Sequence, residues 1–148
     1  MYDFVDRPLG SQPEGVRLVV WSMRQWVTAA LEGRCVCGLM GCAFASVDAE
    51  GAAGPFRDTM QILCGDLRIP LRFGAIACQQ IAEHEAVLLG ALTASTQGRA
   101  QDCAAVARLL VQPDKAEALA AALGRLAGAL AGAELHLAAP YPRPGHAG

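Results

Sequence analysis

Leu119, Leu123, Leu126 and Leu130 recur at spacings of four, three and four. A helix places all four on one stripe, whereas a strand would divide them between two faces. This seam predicts a helix from about Asp114 to Ala133, entered through the Gln112-Pro113-Asp114 break. Gly124, Gly128 and Gly132 mark its other face. Such a row admits the close approach of another helix, or reflects drift in a sequence rich in alanine and glycine.

The rest of the chain repeats this logic. Val16, Val19, Val20, Met23, Trp26, Val27 and Ala30 share one face of a helix from about Val16 to Leu31, with Arg17, Trp21, Arg24, Gln25 and Thr28 turned away. Gly33 suits its C-cap. Phe44–Gly54 is small and glycine-rich and reads as a loop. Pro55 then opens a short helix through Phe56, Met60, Leu63 and Leu67. Further helices are expected over about Gln80–Thr96, around Ile81, Leu88 and Leu92, and over about Gln101–Val111, around Cys103, Val106, Ala107 and Leu110. Two stretches change to period two: Leu67, Ile69, Leu71 and Phe73, interrupted by Pro70, and Leu135, Leu137 and Ala139. They leave room for a two-stranded ribbon.

The fold class expected is therefore mainly α: an irregular bundle of about five helices, with a small two-stranded β element as an option. Residues 1–15 are expected to form an extended N-terminal arm, 16–139 a single helical domain and 140–148 a proline-rich tail. With only 5% aromatic residues, the core must come from Leu, Val, Ile and Ala. The first helix and the leucine-seam helix should be neighbours, burying Met23, Trp26 and Leu126.

Composition narrows the function classes. The formal net charge is −2 with no basic block, which argues against a nucleic-acid partner. The N-terminus carries acids where a secretory signal would carry bases. Arg24 interrupts the apolar run Leu18–Leu31, and Arg125, Glu134 and His136 interrupt Leu119–Ala139, so no membrane association is expected. A cytoplasmic location follows, where clustered cysteines suggest metal or redox chemistry more than disulfides.

Arg34–Cys42 reads R-C-V-C-G-L-M-G-C and gathers Cys35, Cys37 and Cys42 within nine residues. With Cys78, and His84 as a further donor, these thiolates could hold zinc or an iron–sulfur cluster. The spacing is neither a paired C-x2-C nor a ferredoxin pattern, and buried cysteine is also an ordinary small hydrophobe. Cys64 and Cys103 lie on or near apolar seams and read as core. His84 and Glu85 flank an apolar face, so His84 reads as a metal ligand, a partner to a thiol, or a histidine at the core margin. Trp21 with Arg17 and Arg24 has the composition of a protein-contact hot spot, or of a ring covered by the arm or the Cys-rich turn. The patterns G-x-G-x-x-G, P-loop, G-x-S-x-G and H-E-x-x-H do not occur.

The R-C-x-C turn after a Trp-bearing helix, followed by Leu71-Arg72-Phe73, Cys78 and the E-A-V-L-L helix, resembles small bacterial proteins of unknown function. The resemblance implies no activity and no site residue. The function expected is a small non-enzymatic binding or regulatory protein of the cytosol. Its partner is another protein or its own copy, and its cysteine cluster is a candidate site for zinc or an iron–sulfur cluster. The alternative is a thiol-based oxidoreductase or redox sensor using Cys35 and Cys37.

Overall fold

Helix α6, Pro113–Gly132, is the post around which the computed structural model is built. The structure describes residues 4–35, 37–65 and 71–137, apart from the Cys37 side chain. The leucine seam buries Leu119, Leu123, Leu126 and Leu130, and α6 packs along α3, Glu50–Gly65, α4, Glu83–Thr96, and α5, Ala100–Leu110. A short 3-10 turn, Leu9–Ser11, leads into α1, Glu14–Leu31, and a nine-residue α2, Cys37–Ala45, joins α1 to α3.

The expected α1–α6 pairing is replaced by a different arrangement. The close helical neighbour of α1 is α4, and α1 meets the segment that follows the leucine-seam helix. There, a Cβ on Gly15 would lie 2.8 Å from the His136 carbonyl oxygen. Val16, Val19, Val20 and Met23 are buried as expected, but Trp26 is only half-buried. Ala29 is buried in place of the exposed Ala30, so the inward stripe is rotated from the one read in sequence.

Two helical stretches were not legible as such. The Cys-rich turn is largely α2, because Met40 and Phe44, one turn apart, both enter the core. Of the stretch read as a loop, Phe44–Gly54, residues 46–49 do form the connecting turn, but Phe44 and Ala45 end α2 and residues 50–54 are the first turn of α3, which carries Pro55 inside it. Burial of Ala52 and Phe56 outweighs the glycine and proline penalties there. Phe56 stacks edge-on to Trp26 at 6.1 Å and tilts against Phe44 at 5.5 Å, tying α1, α2 and α3 together.

The optional β element is not formed among the described residues, where no strand occurs. Leu67, Ile69 and Ala139 lie outside those residues, as does the proline-rich tail. The described part of the first stretch bonds to α4 instead: the His84 amide donates to the Arg72 carbonyl at 3.3 Å. The second is held to α6 by the Leu135 amide on the Leu130 carbonyl. Among the described residues a single isolated bridge joins Pro8 to Gln80. Around it Asp6 donates to Ile81, Ile81 to Arg7 and Leu9 to Gln79, so the N-terminal arm is pinned to residues 79–81. That pairing keeps Gln80 and Ile81 extended and delays the start of α4 to Glu83.

The glycines test this packing. Gly15→Ala meets two backbone carbonyls that cannot rotate away, and should destabilise the protein by about 1–3 kcal/mol. Gly128→Ala projects into open space from the middle of α6, and should stabilise it by up to about 1 kcal/mol. Urea unfolding of the two variants checks both signs.

Candidate functional site

Two places concentrate chemistry: a buried ion pair between α1 and α4, and the thiol-bearing corner where α1 turns into α2. The ion pair is the better defined. Arg24 is 1% exposed and Glu85 is 0% exposed. Arg24 Nε donates to Glu85 Oε2 at 2.8 Å and Nη2 to Oε1 at 2.9 Å, a two-pronged contact that suits a planar guanidinium. Nη1 donates to the Cys78 carbonyl at 2.6 Å and Nη2 to the Gln80 carbonyl at 2.8 Å. Glu85 also accepts from the Gly74 amide at 3.0 Å and the Ala82 amide at 2.8 Å. Through the Ala82 bond the Glu85 carboxylate, at the third position of α4, reaches back to the N-cap amide and closes the start of the helix; alanine at the N-cap has no side-chain oxygen to return the bond. The hydrogen bonds that Arg24 donates to the Glu85 carboxylate hold the Arg24 pKa above its ordinary value despite burial, so the guanidinium stays charged.

Gly74 completes this clasp, since an added Cβ would lie 2.6 Å from Arg24 Nη2. His84 stands next to it, buried, with Nδ1 accepting from the Arg72 amide at 2.6 Å. That bond uses Nδ1 as an acceptor and places the ring proton on Nε2. Histidine and glutamate at the head of α4 thus hold residues 72–82 against α1.

The expected contact trio is therefore broken up. Arg24 does not face a partner; it is inside the protein, because Glu85 on a helix distant in sequence meets it there. Trp21 is half-buried and packs against the core. Arg17 is exposed and donates to the Gln12 carbonyl at 3.2 Å.

The cysteines are dispersed. Cys35, Cys42, Cys64 and Cys78 are at the surface and Cys103 is buried. Cys78 Sγ donates to the Gln80 carbonyl at 3.4 Å. Among the described residues no three His, Cys, Asp or Glu side chains are placed to hold one metal ion. The proposed set Cys35, Cys37, Cys42, Cys78 and His84 is not brought together in what is described, and the Cys37 side chain lies outside it. Cys103 is in the core as read from sequence; Cys64 is instead on the surface of α3. Partial desolvation pushes the Cys64 thiol up, and a hydrogen bond with Trp26 opposes this.

The α1–α2 corner carries another signal. Leu31, the last residue of α1, is 84% exposed, and Leu39 in α2 is 45% exposed. Gly33 adopts φ +70° between the helices, and Cys35 and Cys42 are at the surface on either side of Leu39 in sequence. No helix of the described chain is long and apolar enough to cross a membrane.

No protein-family model, curated protein or solved structure matches this chain.

Sequence reasoning missed the Arg24–Glu85 pair. The signal available was that each charge sits at the edge of an apolar stripe, Arg24 four residues after Val20 and Glu85 three before Leu88. Arg24→Ala strands a buried carboxylate and should cost about 3–5 kcal/mol. Replacing both partners, as Arg24→Met with Glu85→Leu, should cost clearly less. A thermal-unfolding double-mutant cycle measures the difference. Burial also raises the Cys103 thiol pKa, so iodoacetamide at pH 8 should label Cys35, Cys42 and Cys78 well before Cys103. Peptide mass mapping over time checks that order.

Proposed function

We propose that this chain is a non-enzymatic binding protein whose contact surface is the α1–α2 corner. The observation that carries the reading is Leu31, a large apolar side chain left 84% exposed at the end of a helix whose other large apolar side chains are buried or half-buried. Leu39 in α2 is a second exposed leucine, eight residues on. Exposed large apolar side chains favour burial against another protein. Cys35 and Cys42 would lie within or beside such a contact, and a reducing compartment, the cytosol, would keep them as thiols. The reading requires no bound metal; zinc or an iron–sulfur cluster would need Cys35, Cys37, Cys42 and Cys78 or His84 to converge.

A second reading, thiol–disulfide exchange, is favoured by one observation: α2 begins at Cys37, two residues after the surface-exposed Cys35. The first position of a helix is where backbone N–H groups stabilise a thiolate. In such an exchange Cys35 and Cys37 would close a disulfide, and the partner's disulfide would be reduced to two thiols.

A photo-crosslinking side chain placed at Gly38, which has open space around it, distinguishes these readings. In producing cells it should yield an adduct of one fixed mass, and Leu31→Asp with Leu39→Asp should abolish it without lowering the melting temperature. An adduct lost instead on Cys35→Ser or Cys37→Ser, and retained in the Asp variant, would favour exchange. No adduct in any form would remove the corner as a contact surface.

A further inference from the structure

Helix α5 presents an outward ridge whose chemistry complements itself. Asp102, Ala105, Arg108 and Leu109 are all exposed, and Leu109, at 60%, is the large apolar side chain among them. Asp102 and Arg108 stand three residues either side of Ala105. Beside the ridge runs an open groove of about 320 Å³ between α4 and α5. Val87, Ala91, Ala94 and Val106 line it, with Asp102 and Ala105 on its near wall.

We propose that this face binds a second copy of the chain, α5 against α5 in antiparallel register, around a two-fold axis at Ala105. The charge pattern selects that occupant. An antiparallel copy centred on residue 105 brings residue 108 of each chain level with residue 102 of the other, so that each arginine meets an aspartate and like charges are kept apart. A parallel copy would set like against like. Ala105 is small enough at the crossing for the two backbones to approach closely. Leu109 lies two helical turns from Asp102 on the same side of α5. In the antiparallel copy it is therefore carried over the α4–α5 groove, which supplies apolar walls and room for a leucine side chain. The interface is isologous, because each chain contributes one ridge and one groove. Asp102 already accepts from Arg99 at 2.9 Å. That exposed pair contributes little by itself, and the carboxylate has capacity for a second donor.

The surface is separate from the α1–α2 corner, so the two readings fail independently. The test is sedimentation velocity of the full chain over a wide concentration range. The wild type should show a concentration-dependent species of twice the 15.4 kDa chain mass. Arg108→Glu sets like charges against each other and should weaken association by at least about tenfold. Adding Asp102→Arg to it should restore association, a rescue that a purely structural role for either residue would not produce. Ala105→Glu, at an exposed position where glutamate is a good helix former, should leave the melting temperature unchanged and give monomer. A wild type that stays monomeric at every concentration would overturn the proposal. So would a dimer indifferent to Ala105→Glu, or one that the charge swap fails to rescue.

Discussion

The contact between Arg24 and Glu85 is the interaction on which the arrangement of this protein depends. Two full charges are withdrawn from water, and that is tolerable only because nearly every donor and acceptor is used. The guanidinium reaches the carboxylate and the carbonyls of Cys78 and Gln80; the carboxylate reaches the guanidinium and the amides of Gly74 and Ala82. One ion pair thus fixes the position of α1, the head of α4 and the irregular segment between residues 74 and 82. The N-terminal arm adds to the same segment through Asp6, Arg7 and Leu9.

This organisation gives the molecule two regions of different character. Around α6 the contacts are apolar, made by Phe56, Met60 and Leu63 of α3, Leu88, Leu89 and Leu92 of α4, and Val106 and Leu110 of α5. A set of such contacts specifies a core but tolerates sliding, because hydrophobic burial is not directional. The region around Arg24 is polar and directional, and its hydrogen bonds admit one register. The clasp therefore supplies the registration that the alanine-rich core leaves open. The exposed leucines, at the α1–α2 corner and on α5, lie on the outer surface, where association would add burial the single chain does not obtain.

Cysteine placement illustrates how proximity in sequence differs from convergence in space. Cys35, Cys37 and Cys42 are close along the chain, which suggested a common site. Folding as a helix from Cys37 onward imposes a 1.5 Å rise per residue and a fixed rotation, so residues 37 and 42 are carried apart along α2. Cys42 ends at the surface while its neighbours Met40 and Phe44 take the inward positions. In this stretch the core took Met40 and Phe44 and left Leu39, Cys35 and Cys42 at the surface.

The sequence alone determined the helices with a one-sided apolar stripe, α1, α5 and α6, and the burial of Val16, Leu119, Leu123 and Cys103, since a 3.6-residue repeat is a local property; it also placed α4 through Leu88 and Leu92, although that helix is buried around most of its circumference. Tertiary structure decided the rest. It made α2 and the first turns of α3 helical against glycine and proline, because Met40, Phe44, Ala52 and Phe56 gain more from the core than the backbone loses. It turned α1 so that Ala29 rather than Ala30 faces inward, and it set α1 beside α4 rather than along α6. It also took Arg24 from the face read as solvated and buried it against a carboxylate 61 residues away. No local pattern encodes that pairing: whether a charge at the edge of an apolar stripe meets solvent or a counter-charge depends on which helix is packed opposite.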